Sequence, residues 1–291
     1  MKYIRKFETL EEQTDYLNTV DIDTYIGYVD ENKTVYYNDA IPVRYDNKYL
    51  TIETLTAGDL SLAGARSNFN YSLDNGSTWN TLTTGQTVAV NAGEKVLLKA
   101  NRPTVYYDSG IGKINYSGQF NVFGNIMSLV YGDDFADKET IEATQFYKLF
   151  NGATTLISAE NLILPATTLK TVCYMSMFGG CTSLTTAPSI LPATTLDSQC
   201  YRYMFGGCTS LTTAPELPST TLATYCYQYM FSGCSNLNYI KCLATDISAK
   251  DCTYQWVKDV ASTGTFVKAS SMNNWTTGNN GIPANWTIEN E

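Results

Sequence analysis

Cys173-Tyr174-Met175-Ser176-Met177-Phe178-Gly179-Gly180-Cys181-Thr182-Ser183-Leu184 returns as Cys200-Tyr201-Arg202-Tyr203-Met204-Phe205-Gly206-Gly207-Cys208-Thr209-Ser210-Leu211. It returns again as Cys226-Tyr227-Gln228-Tyr229-Met230-Phe231-Ser232-Gly233-Cys234-Ser235-Asn236-Leu237. The spacing is 27 and then 26 residues, a period at which repeats stack as a solenoid because one unit cannot bury its own apolar face. Two degenerate copies flank the clear ones as caps. Upstream, Phe146-Tyr147-Lys148-Leu149-Phe150-Asn151-Gly152-Ala153 has Gln145 and Ala153 where the motif has cysteines. Downstream, Cys252-Thr253-Tyr254-Gln255-Trp256-Val257 never reaches the second Gly-Cys.

Within the third copy, Cys226, Tyr227, Met230, Phe231 and Cys234 fall at i, i+1, i+4, i+5 and i+8. That spacing reads as one face of a helix, with Gly233 as its stop. The Leu211-Thr212-Thr213-Ala214-Pro215 type of segment is rich in Thr and reads as a short strand, with Pro where no ladder donor is needed. A return through segments such as Leu191-Pro192-Ala193-Thr194-Thr195-Leu196 completes the unit, so each copy is expected to be helix, turn and strand.

Outward from the repeats, residues 1–47 read as a small β-α-β-β module. Met1 to Phe7 is a strand, Thr9-Leu10-Glu11-Glu12 opens a helix as a capping box, and Tyr25–Val29 and Thr34–Tyr37 form a hairpin. Residues 48–131 switch to short strands, clearest at Tyr49–Glu53, Phe69–Leu73, Thr87–Val90 and Lys95–Lys99. Asp74-Asn75-Gly76 signals a tight turn between them, and the strand spacing implies a β-sandwich. The repeat region covers 132–262, and a cap with a last strand at Gly264–Lys268 covers 263–291. The expected fold class is therefore multidomain α+β.

Composition narrows the chemistry. The net charge is −9 with no histidine, which argues against a nucleic-acid-binding basic face and removes the usual general base. Residues 1–47 hold five basic and ten acidic side chains, whereas residues 143–240 carry only Lys148, Glu160, Lys170, Asp197, Arg202 and Glu216. No stretch reaches the ~20 apolar residues of a membrane span, so no membrane insertion is expected. Met1–Glu8 lacks the apolar run of a secretory signal.

The eight cysteines lie between Cys173 and Cys252. On a helix the two of one copy would sit ~12 Å apart, too far for a disulfide, and the spacing does not suit a zinc site. Buried free thiols are the expectation. Asp133 and Asp134 match no calcium loop and have no second carboxylate placed across a cleft for glycoside hydrolysis, so a solvated linker is expected. Trp79, Tyr106 and Tyr107 are either sugar-stacking aromatics or core residues. Trp275 and Trp286 lie in repeated Asn-Trp-Thr elements and are expected to close the end of the stack. No catalytic residue, metal site or cofactor is expected.

Phe178, Cys181, Leu184 and Pro188, and likewise Phe205, Cys208, Leu211 and Pro215, resemble the pattern of the BspA-type leucine-rich repeats. That resemblance implies a BspA-like leucine-rich-repeat solenoid. Lys2–Glu8, the hairpin of Tyr28-Val29-Asp30 and Val35-Tyr36-Tyr37, Phe120–Leu129 and Gly281-Ile282-Pro283 are together similar to proteins of gut Bacteroidales and their crAss-like tailed phages. This second resemblance implies a non-enzymatic virion component, a head or tail fibre or decoration. It would be anchored to capsid or tail proteins through residues 1–47, made in the bacterial cytoplasm, and assembled as a homo-oligomer, a trimer. The alternative is an adhesin on the bacterial cell surface. In either setting the strand face of the repeats, Thr185, Thr186, Thr212, Thr213, Asn238 and Tyr239, is the candidate binding surface for a host glycan or protein.

Overall fold

A computed structural model describes residues 27–29, 35–37, 48–101, 103, 105 and 107–291. The chain divides into two compact units, residues 1–45 and 46–291. In the first, β1 (Gly27–Val29) pairs antiparallel with β2 (Val35–Tyr37), Gly27 opposite Tyr37. The expected strand at Met1–Phe7 and the helix from Thr9 lie outside the described residues.

The second unit opens with β3 (Leu50–Thr54), β4 (Gly58–Ala63), β5 (Phe69–Ser72), β6 (Asn80–Leu82), β7 (Thr87–Val90), β8 (Lys95–Lys99), β9 (Lys113–Tyr116) and β10 (Phe120–Asn125). One sheet runs β6-β5-β8-β3-β10 and the other β7-β4-β9. Alternation places Leu50, Ile52, Phe69, Val96, Leu98, Phe120 and Val122 of the first and Leu60, Leu62, Val90, Ile114 and Tyr116 of the second in one buried core. Asn75 and Gly76 do adopt positive φ, 56° and 88°. The turn is wider than a two-residue hairpin, however, because β5 and β6 pair with Tyr71 opposite Asn80. Asp74 holds that longer connection by accepting from the Thr78 backbone N–H and hydroxyl and from Ser72 Oγ.

The repeats depart from expectation. Among the described residues, the α-helix is α1 (Ser128–Tyr131), followed by a 3-10 turn over Gly132–Asp134, and the chain is mostly β-sheet and turns. The α+β class and the helix, turn and strand units of a leucine-rich-repeat solenoid are therefore incorrect. In place of each helix stands a run of overlapping turns in which the backbone donors alternate. Cys200, Arg202, Met204, Gly206 and Cys208 donate to the carbonyl three residues back, at Asp197, Gln199, Tyr201, Tyr203 and Phe205. The residues between them donate to the next copy: Tyr201 to Cys226, Tyr203 to Gln228, Phe205 to Met230 and Gly207 to Ser232. A helix would direct every N–H back along its own axis. Here half of them tie one copy to the next.

That alternation needs a left-handed residue every fourth position. Gln199, Tyr203 and Gly207 have φ of 59°, 57° and 79°, and Tyr225, Tyr229 and Gly233 have 58°, 56° and 79°. Each four-residue step buries two neighbours and turns two outward, so like residues of successive copies form columns. Phe150, Phe178, Phe205 and Phe231 stack with centroids 5.7, 5.4 and 5.7 Å apart. Phe146, Tyr174, Tyr201 and Tyr227 form a second column at 5.6, 5.8 and 6.1 Å. The second cysteine of each copy points its thiol at the preceding phenylalanine carbonyl, as Cys208 Sγ does at Phe178 O, 3.1 Å away.

Both ends of the stack are covered. Below it, β10 pairs in parallel with β11 (Leu156–Ser158) and β12 (Leu162–Ile163) of the first copy. Ile111 N–H also donates to Gln145 O, and Ile114 N–H to Leu149 O. Residues 111–126 thus serve as a template for the first copy, and the core continues unbroken from Leu50 to Trp286. Above it, β13 (Tyr239–Cys242), β14 (Thr265–Lys268) and β15 (Thr287–Asn290) form a parallel sheet. Trp275 stacks on Trp256, 5.5 Å and 10°, and Trp286 donates from Nε1 to Ala261 O.

Candidate functional site

The face singled out from the sequence is exposed and ordered by backbone pairing. Thr185, Thr186, Thr212, Thr213 and Asn238 are exposed, and Tyr239 is half-buried. Thr186 bridges in parallel to Ser158, while Thr213 bridges to Tyr239, which stands beside Thr265 and then Thr287. Asn238 N–H donates to Thr212 O, and the Thr185 N–H and hydroxyl both donate to Ile157 O. Because neighbouring strands lie ~4.8 Å apart, Thr213 and Tyr239 stand about one strand apart, as do Ser158 and Thr186, while among the described residues no backbone pair joins Thr186 to Thr213.

A second row was not assigned from the sequence. The return segments bring Thr167 and Thr168 beside Thr194 and Thr195, and Thr220 and Thr221 beside Thr245 and Asp246, all of them exposed. Ser219, fully buried, joins the two pairs by donating to Thr194 O. The signal is the repeated Thr-Thr after Pro-Ala or Pro-Ser, which in the sequence reads only as a connection.

The turn face is different in kind. Tyr203 and Tyr229 stack at 4.6 Å and 19°, and Tyr254 meets Tyr229 edge-on at 5.5 Å. Gly206 makes room for the Tyr203 ring, since a Cβ there would lie 2.9 Å from Cδ1. Arg202 sits over that ring at 5.8 Å and donates from Nη1 to Gln199 Oε1, 3.0 Å. Desolvation, then the neighbouring Tyr254 and Tyr203, raises the Tyr229 hydroxyl above its ordinary value. Tyr203 and Tyr229 hold equivalent positions of successive copies, so the repeat itself is the signal that could have found the strip.

The remaining candidates resolve into structural roles. Asp133 accepts from Tyr49 OH and from Lys99 Nζ, both at 2.6 Å. Hydrogen bonds from Lys99 and Tyr49 lower its pKa, while burial and Asp133 push Tyr49 up to about 12. Lys99 Nζ also caps the Trp79 ring at 3.9 Å, so Trp79 is an internal partner of that cluster. Tyr107 is exposed, and Tyr106 lies outside the described residues. All eight cysteines are free and buried, and burial pushes the thiols of Cys173, Cys181, Cys234 and Cys242 up to about 12. Among the described residues no group of His, Cys, Asp and Glu could hold a metal ion, and no helix is long and apolar enough to cross a membrane. No family model, curated protein or solved structure matches the chain.

Proposed function

We propose that this protein is a non-catalytic adhesion component that holds a glycan on the hydroxyl face of its repeats, displayed on a phage particle to which residues 1–47 attach it. The observation that carries the glycan reading is the face formed by the exposed Thr185, Thr186, Thr212, Thr213 and Asn238 with the half-buried Tyr239, in which Thr213 and Tyr239 are strand neighbours, on a nearly uncharged surface. Side-chain hydroxyls and an amide donate to and accept from sugar hydroxyls in either direction. A regular strand spacing lets successive sugars of an extended chain meet equivalent groups. The virion setting rests on the resemblance of the N-terminal and central segments, and a homo-oligomer would give the small N-terminal module the partner surface that it needs.

The test is retention of the full chain on immobilised dextran, laminarin and mannan, together with co-sedimentation on purified crAss-like phage particles. At least one polysaccharide should be retained, and Thr186→Lys with Thr213→Lys should abolish retention while leaving the melting temperature unchanged. A chain that ignores all three sugars, or that binds as well with both lysines present, overturns the glycan reading. Failure to sediment with the particles overturns the virion setting.

A further inference from the structure

The hydroxyl face accounts for neither Arg202 nor the tyrosines beside it. In the turn segments 144–152, 172–180, 199–207 and 225–233 the only charged residues are Lys148 and Arg202, both cationic. Glu160, Asp197 and Glu216 lie outside those segments, whereas the last turn segment, 251–259, which carries Tyr254, adds Asp251, Lys258 and Asp259. Among the described residues Arg202 has no carboxylate partner. Its Nη1 donates to Gln199 Oε1 and its Nε is buried without a hydrogen-bond partner, so the guanidinium is fixed beside Tyr203 and any donor for a ligand comes from its terminal nitrogens.

Tyrosine is also an expensive choice here. Tyr203 and Tyr229 have φ of 57° and 56°, a backbone region that is unfavourable for a bulky residue, and glycine or asparagine would fill it at less cost. The turn unit imposes this conformation at every fourth position, at Val172, Ser176 and Gln199 as well, so the particular feature of this face is the choice of tyrosine at two successive copies. The two rings stack one copy apart, and the exposed Tyr203 and Tyr254 present ring and hydroxyl to solvent.

We propose that this turn face binds an acidic polysaccharide, a uronate polymer. Arg202 pairs with a sugar carboxylate, and Tyr203, Tyr229 and Tyr254 contact the sugar rings, at a site separate from the hydroxyl face. Guanidinium and carboxylate match in geometry and charge, and an aromatic side chain offers apolar surface to the C–H side of a pyranose. This inference rests on the adhesion reading and narrows it to one ligand class on one face.

The experiment is calorimetric titration of the full chain with polygalacturonate, with dextran, laminarin and mannan as neutral controls and oligo-dT as the anionic control. Polygalacturonate should bind and weaken as salt rises, because the pair is partly exposed. Arg202→Gln should weaken it about tenfold, the scale of one charge-assisted pair, and Arg202→Lys should restore part of the loss. Tyr203→Ala should act in the same direction, and each variant should melt with the parent. Polygalacturonate binding that is indifferent to Arg202→Gln and to salt overturns the proposal, as does equal binding of oligo-dT. Neutral sugars bound through Thr213 with polygalacturonate ignored would overturn this inference and leave the adhesion reading standing. No binding of any polysaccharide would overturn both.

Discussion

Tyr174 and Tyr201 each bury a phenol hydroxyl that has no hydrogen-bond partner. A buried, unsatisfied hydroxyl costs about 1–3 kcal/mol, whereas the ring around it fills a column that phenylalanine would fill equally well. Tyr174→Phe and Tyr201→Phe should therefore each raise the midpoint of urea unfolding, and a lowered midpoint would mean that the hydroxyl has an unseen partner such as water. The cysteines make a second case. Burial holds Cys173, Cys181, Cys234 and Cys242 protonated up to about 12, against an ordinary thiol value of 9.0. Above pH 9 the unfolded chain sheds these protons first and so binds fewer than the folded chain. Stability present below pH 9 is then lost as pH rises toward 12, by up to about 1.4 kcal/mol per pH unit for each thiol. Unfolding midpoints should fall steeply between pH 9 and 11, and iodoacetamide should label no cysteine at pH 8 until denaturant is added. Free thiols in the core were legible from the sequence, because all eight fall inside the repeated motif.

At the scale of one element, the four-residue turn unit replaces the helix, and far-UV circular dichroism should lack the paired minima of a helical protein. Cys200, Tyr201, Met204, Phe205 and Cys208 keep a strict period of four, which on a helix of 3.6 residues per turn would drift around the axis. The spacing of i, i+1, i+4, i+5 and i+8 satisfies both readings over so short a run, and the run of five residues could not separate them. Phe205 is fully buried between Phe178 and Phe231, so Phe205→Ala should cost about 3–5 kcal/mol by calorimetry or denaturant titration. Gly207→Ala tests the backbone instead. Its Cβ would meet Gly180 Cα at an ordinary 3.7 Å, yet φ is 79°, so the expected cost is only about 1 kcal/mol, from conformation alone.

Across residues 46–291 the core does not break between the paired sheets and the stack. β10 belongs to both, pairing antiparallel with β3 on one side and parallel with β11 and β12 on the other. Stacked repeats can in general unfold piecewise, because each copy touches only its neighbours. Here the first copy is built on a sheet strand and the last is closed by Trp275. Trp79 reports on the sheets, and Trp256, Trp275 and Trp286 on the far end of the stack. Fluorescence from a chain retaining only Trp79 and from one lacking only Trp79 should give coincident urea transitions. Two separate midpoints would show that the junction does not transmit stability. Removing residues 200–225 joins Gln199 to Cys226 at equivalent positions of successive copies, and the shortened chain should still fold and melt cooperatively.

The sequence alone determined that the C-terminal part is a stack of like units with a cysteine-lined aromatic core, because a column of identical residues is written directly as a period of 27 and 26. It also determined the strands at Lys95–Lys99 and Thr87–Val90, where alternation and β-branched residues leave few choices, and the hydroxyl-rich surface at Thr185, Thr186, Thr212 and Thr213. Only the tertiary structure decided how each unit is built. Whether Tyr201 N–H bonds within its own copy or crosses to Cys226 depends on a neighbour being there to accept, and that neighbour is supplied by stacking. The structure also decided that Tyr254, one position short of the residue equivalent to Tyr229, meets that ring edge-on, and that Arg202 lies over Tyr203.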